Sequence, residues 1–226
     1  MTYCLWCNEE SIIQTTWENV FLPKVQNVCN CCKERFETIE GNACRKCWRI
    51  GTDAICSDCN AWEKLYGGKD VLKKNISVYM YNSFMKEVIA RWKYQGDYAL
   101  GEMFREHFFS RFEKEFANVK EALIVPIPLS KQRSYERGFN QARQLAAFLP
   151  PAVSDMMERR HSEKQSKKSK VARMTTRNPF SLDKTINKPA ILVDDIYTTG
   201  RTIRHAAALL KQKGCPEVYA YTLIRG

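Results

Sequence analysis

A chain of 226 residues that is 44% hydrophobic and 27% charged has the ordinary mix of a soluble globular protein, with length for one large domain or two small ones. It holds no apolar run near the roughly 18 residues of a membrane span. Its start, MTYCLWCNEE, lacks the basic and apolar regions of a secretory signal, so a cytoplasmic protein is expected. The formal net charge of +11 is uneven: residues 1–68 hold 7 Lys/Arg and 9 Asp/Glu, a net of −2, which leaves +13 on residues 69–226. Residues 158–177 alone hold 8 Lys/Arg against Glu158 and Glu163. Such asymmetry suits an anionic partner, phosphate-bearing or nucleic acid, and equally a solvated basic loop.

Nine of the ten cysteines precede residue 60, and eight form four Cys-x-x-Cys pairs: Cys4/Cys7, Cys29/Cys32, Cys44/Cys47 and Cys56/Cys59. Two thiolates at that spacing share one tight turn and can both reach a metal about 2.3 Å away, so two pairs close one tetrahedral Zn²⁺ site. A disulfide framework would need an oxidising compartment, and a redox Cys-x-x-Cys normally occurs once, in a βαβ setting. The pattern therefore predicts up to two structural zinc ions. Sequential pairing gives a double zinc ribbon; pairing first with third and second with fourth stays open. Cys31 reads as a bystander. Closed four-cysteine sites stabilise rather than catalyse. Cys215 reads as a small buried apolar residue.

Gly67-Gly68 marks a boundary, dividing the chain into a zinc-binding part, 1–68, and a second part, 69–226. ISVYMY (76–81) predicts a strand, and Met85, Val88, Ile89 and Trp92 an amphipathic helix. Leu100, Met103, Phe104, His107 and Phe108 repeat the helical stripe, which places His107 at the edge of a core. ALIVPIPL (122–129) reads as a buried strand, followed by a helical face of Phe139, Ala142, Ala146 and Leu149. AILVDD (190–195) is a further strand, Ile203, Ala206, Ala207 and Leu210 the helix after it, and VYAYTLI (218–224) a closing strand. Alternation of this kind predicts an α/β fold, a mostly parallel sheet flanked by helices. Ligands of such sheets bind beyond the carboxyl ends of strands, here after Val125–Pro128 and after Asp194–Asp195.

The second of those ends continues as Ile196-Tyr197-Thr198-Thr199-Gly200-Arg201-Thr202. A short turn entering a helix offers backbone N–H groups to an anion, Gly200 permits close approach, and the threonines add hydroxyls. Carboxylates accept hydrogen bonds from vicinal hydroxyls and can hold Mg²⁺. A diol beside a phosphate, as in a ribose 5-phosphate, satisfies both halves. A threonine N-cap on Thr199 or Thr202 is the plainer reading, and it needs only one such residue.

This segment resembles the signature of type I phosphoribosyltransferases. The resemblance implies that Asp194 and Asp195 face the ribose hydroxyls of Mg²⁺-bound phosphoribosyl pyrophosphate (PRPP), with Thr198, Thr199, Gly200, Arg201 and Thr202 around its 5-phosphate. VPIPLSKQRSYERGFNQA (125–142), RWKYQGDYAL (91–100) and the segment holding Gln165, Arg173, Asn178 and Phe180 are similar to elements of the ComF family of late competence proteins, as are the cysteine pairs. Cys31 and Lys168–Ser169 depart from that family's pattern. Membership implies a type I phosphoribosyltransferase-like fold with an N-terminal zinc ribbon. It also implies a role in natural transformation, handling incoming single-stranded DNA beside a ComFA-type helicase-like ATPase. An active Mg²⁺-dependent phosphoribosyltransferase is the alternative, and a metal-stabilised interaction module with a vestigial site a third.

By the same resemblance Lys131, Arg133 and Arg137 meet pyrophosphate, and Arg160, Lys164 and Arg173 belong to a mobile catalytic loop; on residue type alone the first three equally fit a solvated turn. Asn140 and Gln141 present amides to a ligand or cap a helix. Interleaved aromatic and basic residues at Arg91–Tyr94 and Arg133–Phe139 suit single-stranded DNA, with Tyr94 and Tyr135 the stacking candidates and Trp92 and Phe139 core. Lys164, Lys167 and Lys168 are the candidate phosphate contacts along that strand, and His161 reads as an exposed loop residue.

Overall fold

In the computed structural model residues 2–11, 27–52, 54–150, 152–160 and 178–226 are described. Four strands form one parallel sheet: β3 (Lys74–Met80), β4 (Leu123–Pro126), β7 (Ala190–Tyr197) and β8 (Val218–Arg225), in the order β3-β8-β7-β4. β7 and β8 are central. Ala190, Ile191, Leu192 and Val193 are all buried, as is every residue of β8, the continuous apolar reading of a strand covered on both faces.

Alternate side chains feed two cores. Ile191, Val193, Tyr219, Tyr221 and Leu223 share one core with α3 (Ser83–Tyr94) and α4 (Arg105–Phe116). Ala190, Leu192, Val218 and Ala220 share the other with α7 (Arg201–Gln212). α3 begins where Asn82 accepts from the Met85 amide (2.8 Å), and it buries Phe84, Met85, Val88, Ile89 and Trp92. The α/β architecture expected from the sequence is the one observed.

Three local readings change. The stripe through Leu100 and Phe108 is two elements, a 3₁₀ segment over Tyr98–Phe104 and then α4. The strand expected over 122–129 stops at Pro126, where the two prolines withhold amides, although Ile127 still donates to Val193. Phe139 and Leu149 flank a shorter helix, α6 (Gln141–Ala146), behind α5 (Lys131–Arg137). Gly138 ends α5 at φ 75°, a left-handed cap that separates the two.

The cysteine-rich part wraps the sheet edge. β1 (Thr2–Tyr3) pairs with β2 (Glu10–Ser11), and α1 (Asn30–Glu34) follows. Cys4 and Cys32 pack into the α3 core. The chain then runs antiparallel beside β3, with Thr38 bridged to Tyr79 and the Ile39 amide donating to Val78, which covers an otherwise open edge. It reaches the other face, where Cys44, Cys47, Cys56 and Cys59 join the α7 core and α2 (Ser57–Leu65) is carried. The β5 (Glu158–Arg159) and β6 (Phe180–Ser181) strands pair antiparallel on either side of residues 161–177. No helix among the described residues is long and apolar enough to cross a membrane.

Candidate functional site

The eight cysteines fall into two groups by sequential pairing. Cys4, Cys7, Cys29 and Cys32 form one, Cys44, Cys47, Cys56 and Cys59 the other, each with ligand atoms within 4.8 Å of one another. Sulfur separations of 3.7 Å (Cys7–Cys29), 3.6 Å (Cys47–Cys56) and 3.9 Å (Cys44–Cys59) are far too long for disulfides. They match the edge of a tetrahedron whose centre lies about 2.3 Å from each corner, roughly 3.8 Å. Both groups therefore fit Zn²⁺. Cys31, beside the ligand Cys32, is exposed and outside either group, the bystander expected, and the lone Cys215 is buried under Lys188 and Glu217 carbonyls.

The surroundings of the groups differ. Burial pushes the Cys4 thiol up, but the amides of Cys29, Cys7 and Trp6 outweigh it and bring it down to about 7. At Cys47, hydrogen bonding with Cys59 outweighs burial, and the Arg49 amide and the Arg225 guanidinium lower the thiol further, to about 4. The first group docks on α3 through Trp6 edge-on to Phe84 and through Arg91, which reaches the Trp6 carbonyl.

The acid pair ends β7 beside the end of β4: Pro126 is in register with Val193, so Ile127–Pro128 and Asp194–Asp195 lie side by side. These are the two strand ends singled out from the sequence. Asp194 accepts from the Asp195 amide (2.9 Å), and burial, then the Asp195 carboxylate, push its carboxyl up to about 8. Asp195 is ion-paired with Lys93, a buried lysine near the end of α3. Lys93 is one of the interleaved basic residues of Arg91–Tyr94 that suit a DNA backbone by residue type, but its charge is buried against the acid pair instead.

Gly200, not a threonine, is the N-cap of α7, at φ 73° and with no side-chain cap. No threonine side chain caps the helix, so the threonine-cap reading fails, and Thr198, Thr199 and Thr202 are exposed. A Cβ on Gly200 would overlap the Tyr197 hydroxyl and the Arg204 guanidinium, so only glycine lets the loop lie this close. Arg204 is the hub beneath it: it donates to Tyr197 Oη (2.6 Å) and Asp70 Oδ2 (2.8 Å), and it lies over the Trp62 ring (4.8 Å). The Arg204–Asp70 side chains are each 1% exposed.

Of the expected pyrophosphate contacts, Lys131 and Arg133 are exposed on α5, and Arg137 binds Gln141 Oε1 (3.0 Å) and faces the Tyr94 ring. Arg160 is exposed. Its neighbour Arg159 turns inward instead, where burial and then the Arg133 cation pull its guanidinium below the ordinary value despite Asp194. Arg173, His161, Lys164, Lys167 and Lys168 lie outside the described residues. Asn178 donates to the His205 carbonyl (2.6 Å), fixing the base of β6 on α7. Asn140 caps α6 through Ala142 (3.0 Å), so it takes the capping role. His107 bonds Tyr79 Oη (2.9 Å) at the edge of the core. Tyr94 and Tyr135 are exposed and Trp92 is buried.

The model of the phosphoribosyl transferase domain family matches residues 109–226. The chain is 40% identical to Competence protein ComFC of Bacillus subtilis (strain 168), over 98% of this chain and 94% of that protein. It is 33% identical to Competence protein ComFC of Streptococcus pneumoniae (strain ATCC BAA-255 / R6), over 98% and 99%. Competence protein F of Haemophilus influenzae (strain ATCC 51907 / DSM 11121 / KW20 / Rd) matches at 34% over 45% of this chain and 49% of its own. With a phosphoribosyl transferase domain on a parallel sheet, two four-cysteine groups ahead of it and full-length similarity to both ComFC proteins, the chain belongs to the ComFC family of competence proteins.

Proposed function

We propose that this chain is a late competence protein of natural transformation that binds Mg²⁺–PRPP at the end of β7 and handles incoming single-stranded DNA in the cytoplasm, beside a ComFA-type helicase-like ATPase. One observation carries the ligand assignment: a vicinal acid pair is followed at once by a loop closed on Gly200, whose helix is left uncapped by any side chain. Asp194 and Asp195 accept from the ribose hydroxyls and would hold Mg²⁺, which supplies charge neutralisation for the diphosphate. Thr198–Thr202 offer amides and hydroxyls to the 5-phosphate at the positive end of α7. Arg133 and Arg159, with Lys131, Arg137, Arg160 and Arg173, supply cations for the remaining phosphates. Tyr94 and Tyr135, 74% and 92% exposed, offer ring faces to unpaired bases beside the Arg137 cation.

A working transferase is the second reading, favoured by Asp194, whose carboxyl can exchange a proton near neutral pH. Titration calorimetry with Mg²⁺–PRPP tests the binding: wild type should bind, and Asp194→Asn/Asp195→Asn should lose binding while remaining folded. Equal affinity in that variant removes the site assignment. Diphosphate release from labelled PRPP, scored across candidate acceptors, separates a transferase from a binding module.

A further inference from the structure

The phosphate loop and the second cysteine group meet through two side chains that share the loop's carbonyls. Arg225, at the end of β8, donates Nη2 to Cys47 Sγ (3.8 Å) and Nη1 to the carbonyls of Tyr197 (3.0 Å) and Thr198 (2.9 Å). Trp62, on the helix that carries Cys59, donates Nε1 to the Thr199 carbonyl (2.9 Å). Three consecutive carbonyls, 197 to 199, are thus held by a metal-site neighbour and a metal-site helix. In a trans peptide the C=O of one residue and the N–H of the next point in opposite directions. Holding those carbonyls inward therefore turns the amides of Thr198, Thr199 and Gly200 the other way, toward the open side of the loop.

The lower layer is tied to the same group. The Asn75 side chain donates to the Cys47 carbonyl (3.4 Å) and to Ser77 Oγ (3.0 Å), which in turn bonds Thr222 on β8. The Trp62 ring lies under Arg204, on which Gly200 sits. The first group, by contrast, makes its contacts to α3 and the 3₁₀ segment, through Trp6, Asn27 and Arg35.

We infer that Arg225 and Trp62 are positioning residues through which metal in the Cys44/Cys47/Cys56/Cys59 group fixes the amides of the 198–200 loop, and that the first group has no part in this. A metal holds α2 and the Cys47 turn as one unit, so the donors that grip the loop keep their places. Without it, helix and turn separate and the carbonyls lose their partners. The consequence for ligand affinity rests on the 5-phosphate reading above; the consequence for the loop itself does not.

Hydrogen–deuterium exchange on the full, zinc-loaded chain tests this, read at the Gly226 and Arg204 amides, which donate to the Tyr197 and Gly200 carbonyls at the two ends of the loop. Trp62→Phe keeps the ring on Arg204 and removes only the N–H; Arg225→Lys keeps the charge and removes the fork. Each should raise exchange of the loop by roughly three- to tenfold with both zinc ions retained, since Trp62→Phe removes one hydrogen bond to the loop and Arg225→Lys at least one of two. Affinity for ribose 5-phosphate should fall by a similar factor. Stepwise chelation adds a metal readout: loss of zinc from the first group, or its removal by Cys7→Ser, should leave loop exchange unchanged, and loss from the second should raise it. Unchanged exchange in both Trp62→Phe and Arg225→Lys overturns the inference, as does a loop that loosens with the first zinc. If the wild-type chain binds no ribose 5-phosphate, the phosphate reading fails and the exchange comparison still decides the coupling.

Discussion

The two cysteine groups have the same four ligands and the same pair spacing, and they sit on opposite faces of one sheet. The first leaves Cys7 exposed and Cys29 half-buried, and rests on α3 through ring packing. The second is buried at all four cysteines, and a guanidinium reaches Cys47. The same four-cysteine chemistry can therefore be a clamp on an outer helix in one place and part of the floor of the 198–200 loop in the other. What sets the role is the set of donors around the sulfurs rather than the ligands themselves.

The largest effect that would sharpen this contrast is on stability. Cys7→Ser and Cys47→Ser should each lower bound zinc from two ions per chain to one, by elemental analysis. By calorimetry, Cys47→Ser should lower the unfolding temperature at least twice as far, because it opens a buried site that shares a core with α7. Equal losses would break the contrast. The next effect is beneath the loop. Arg204→Met leaves the Asp70 carboxylate buried without its partner, at a cost of about 3–5 kcal/mol. For a chain of this size that is a fall on the order of 10 °C in unfolding temperature. A change within about 2 °C would show that the pair is not the hub the geometry makes it.

The smallest effect is on binding and follows from Asp194. The unfolded chain ionises this carboxyl in the usual carboxylate range, whereas the folded chain keeps its proton up to about 8, through burial and then the Asp195 charge. Between those values the unfolded state holds fewer protons, so this group's contribution to stability is lost as pH rises through the window. If Mg²⁺–PRPP needs the ionised form, affinity should climb by up to about tenfold per pH unit until about 8 and then level off. Asp194→Asn should abolish the dependence, and Cys7→Ser should leave it intact. A flat profile in wild type would remove the proton from the account.

The parts of the site that could be read from the chain are those that are contiguous in it. Asp194 to Thr202 is one strand end and one turn, so residue types and spacing carry its chemistry, and Cys-x-x-Cys spacing carries half a zinc site each time. Which halves join was open, because pairing depends on how the chain wraps β3. Arg159, Arg204, Arg225 and Trp62 carry no legible role in the sequence, and Lys93 reads as a DNA contact rather than the partner of Asp195, for a related reason. Trp62 meets Thr199 across 137 residues and Arg225 meets Cys47 across 178, and such contacts are set by strand order, which periodicity does not encode. Arg159, the last residue of β5, is more buried than Arg160 just beyond it, a distinction that two adjacent arginines in a sequence do not carry. The break between the 3₁₀ segment and α4 was hidden because i, i+3 spacing serves both kinds of helix.

Arg225 also bears on the order of events during synthesis. The four cysteines of the second group leave the ribosome long before β8 does, and four thiolates on one Zn²⁺ carry a net charge of −2. Local residues complete the ligand set, but the guanidinium that answers part of that charge arrives only with the strand latest in the chain. That strand does not add to an edge; it inserts between β3 and β7, in the middle of the sheet. A zinc-filled second group would therefore stand, net anionic, beside the gap that β8 enters, with Arg225 as its counter-charge.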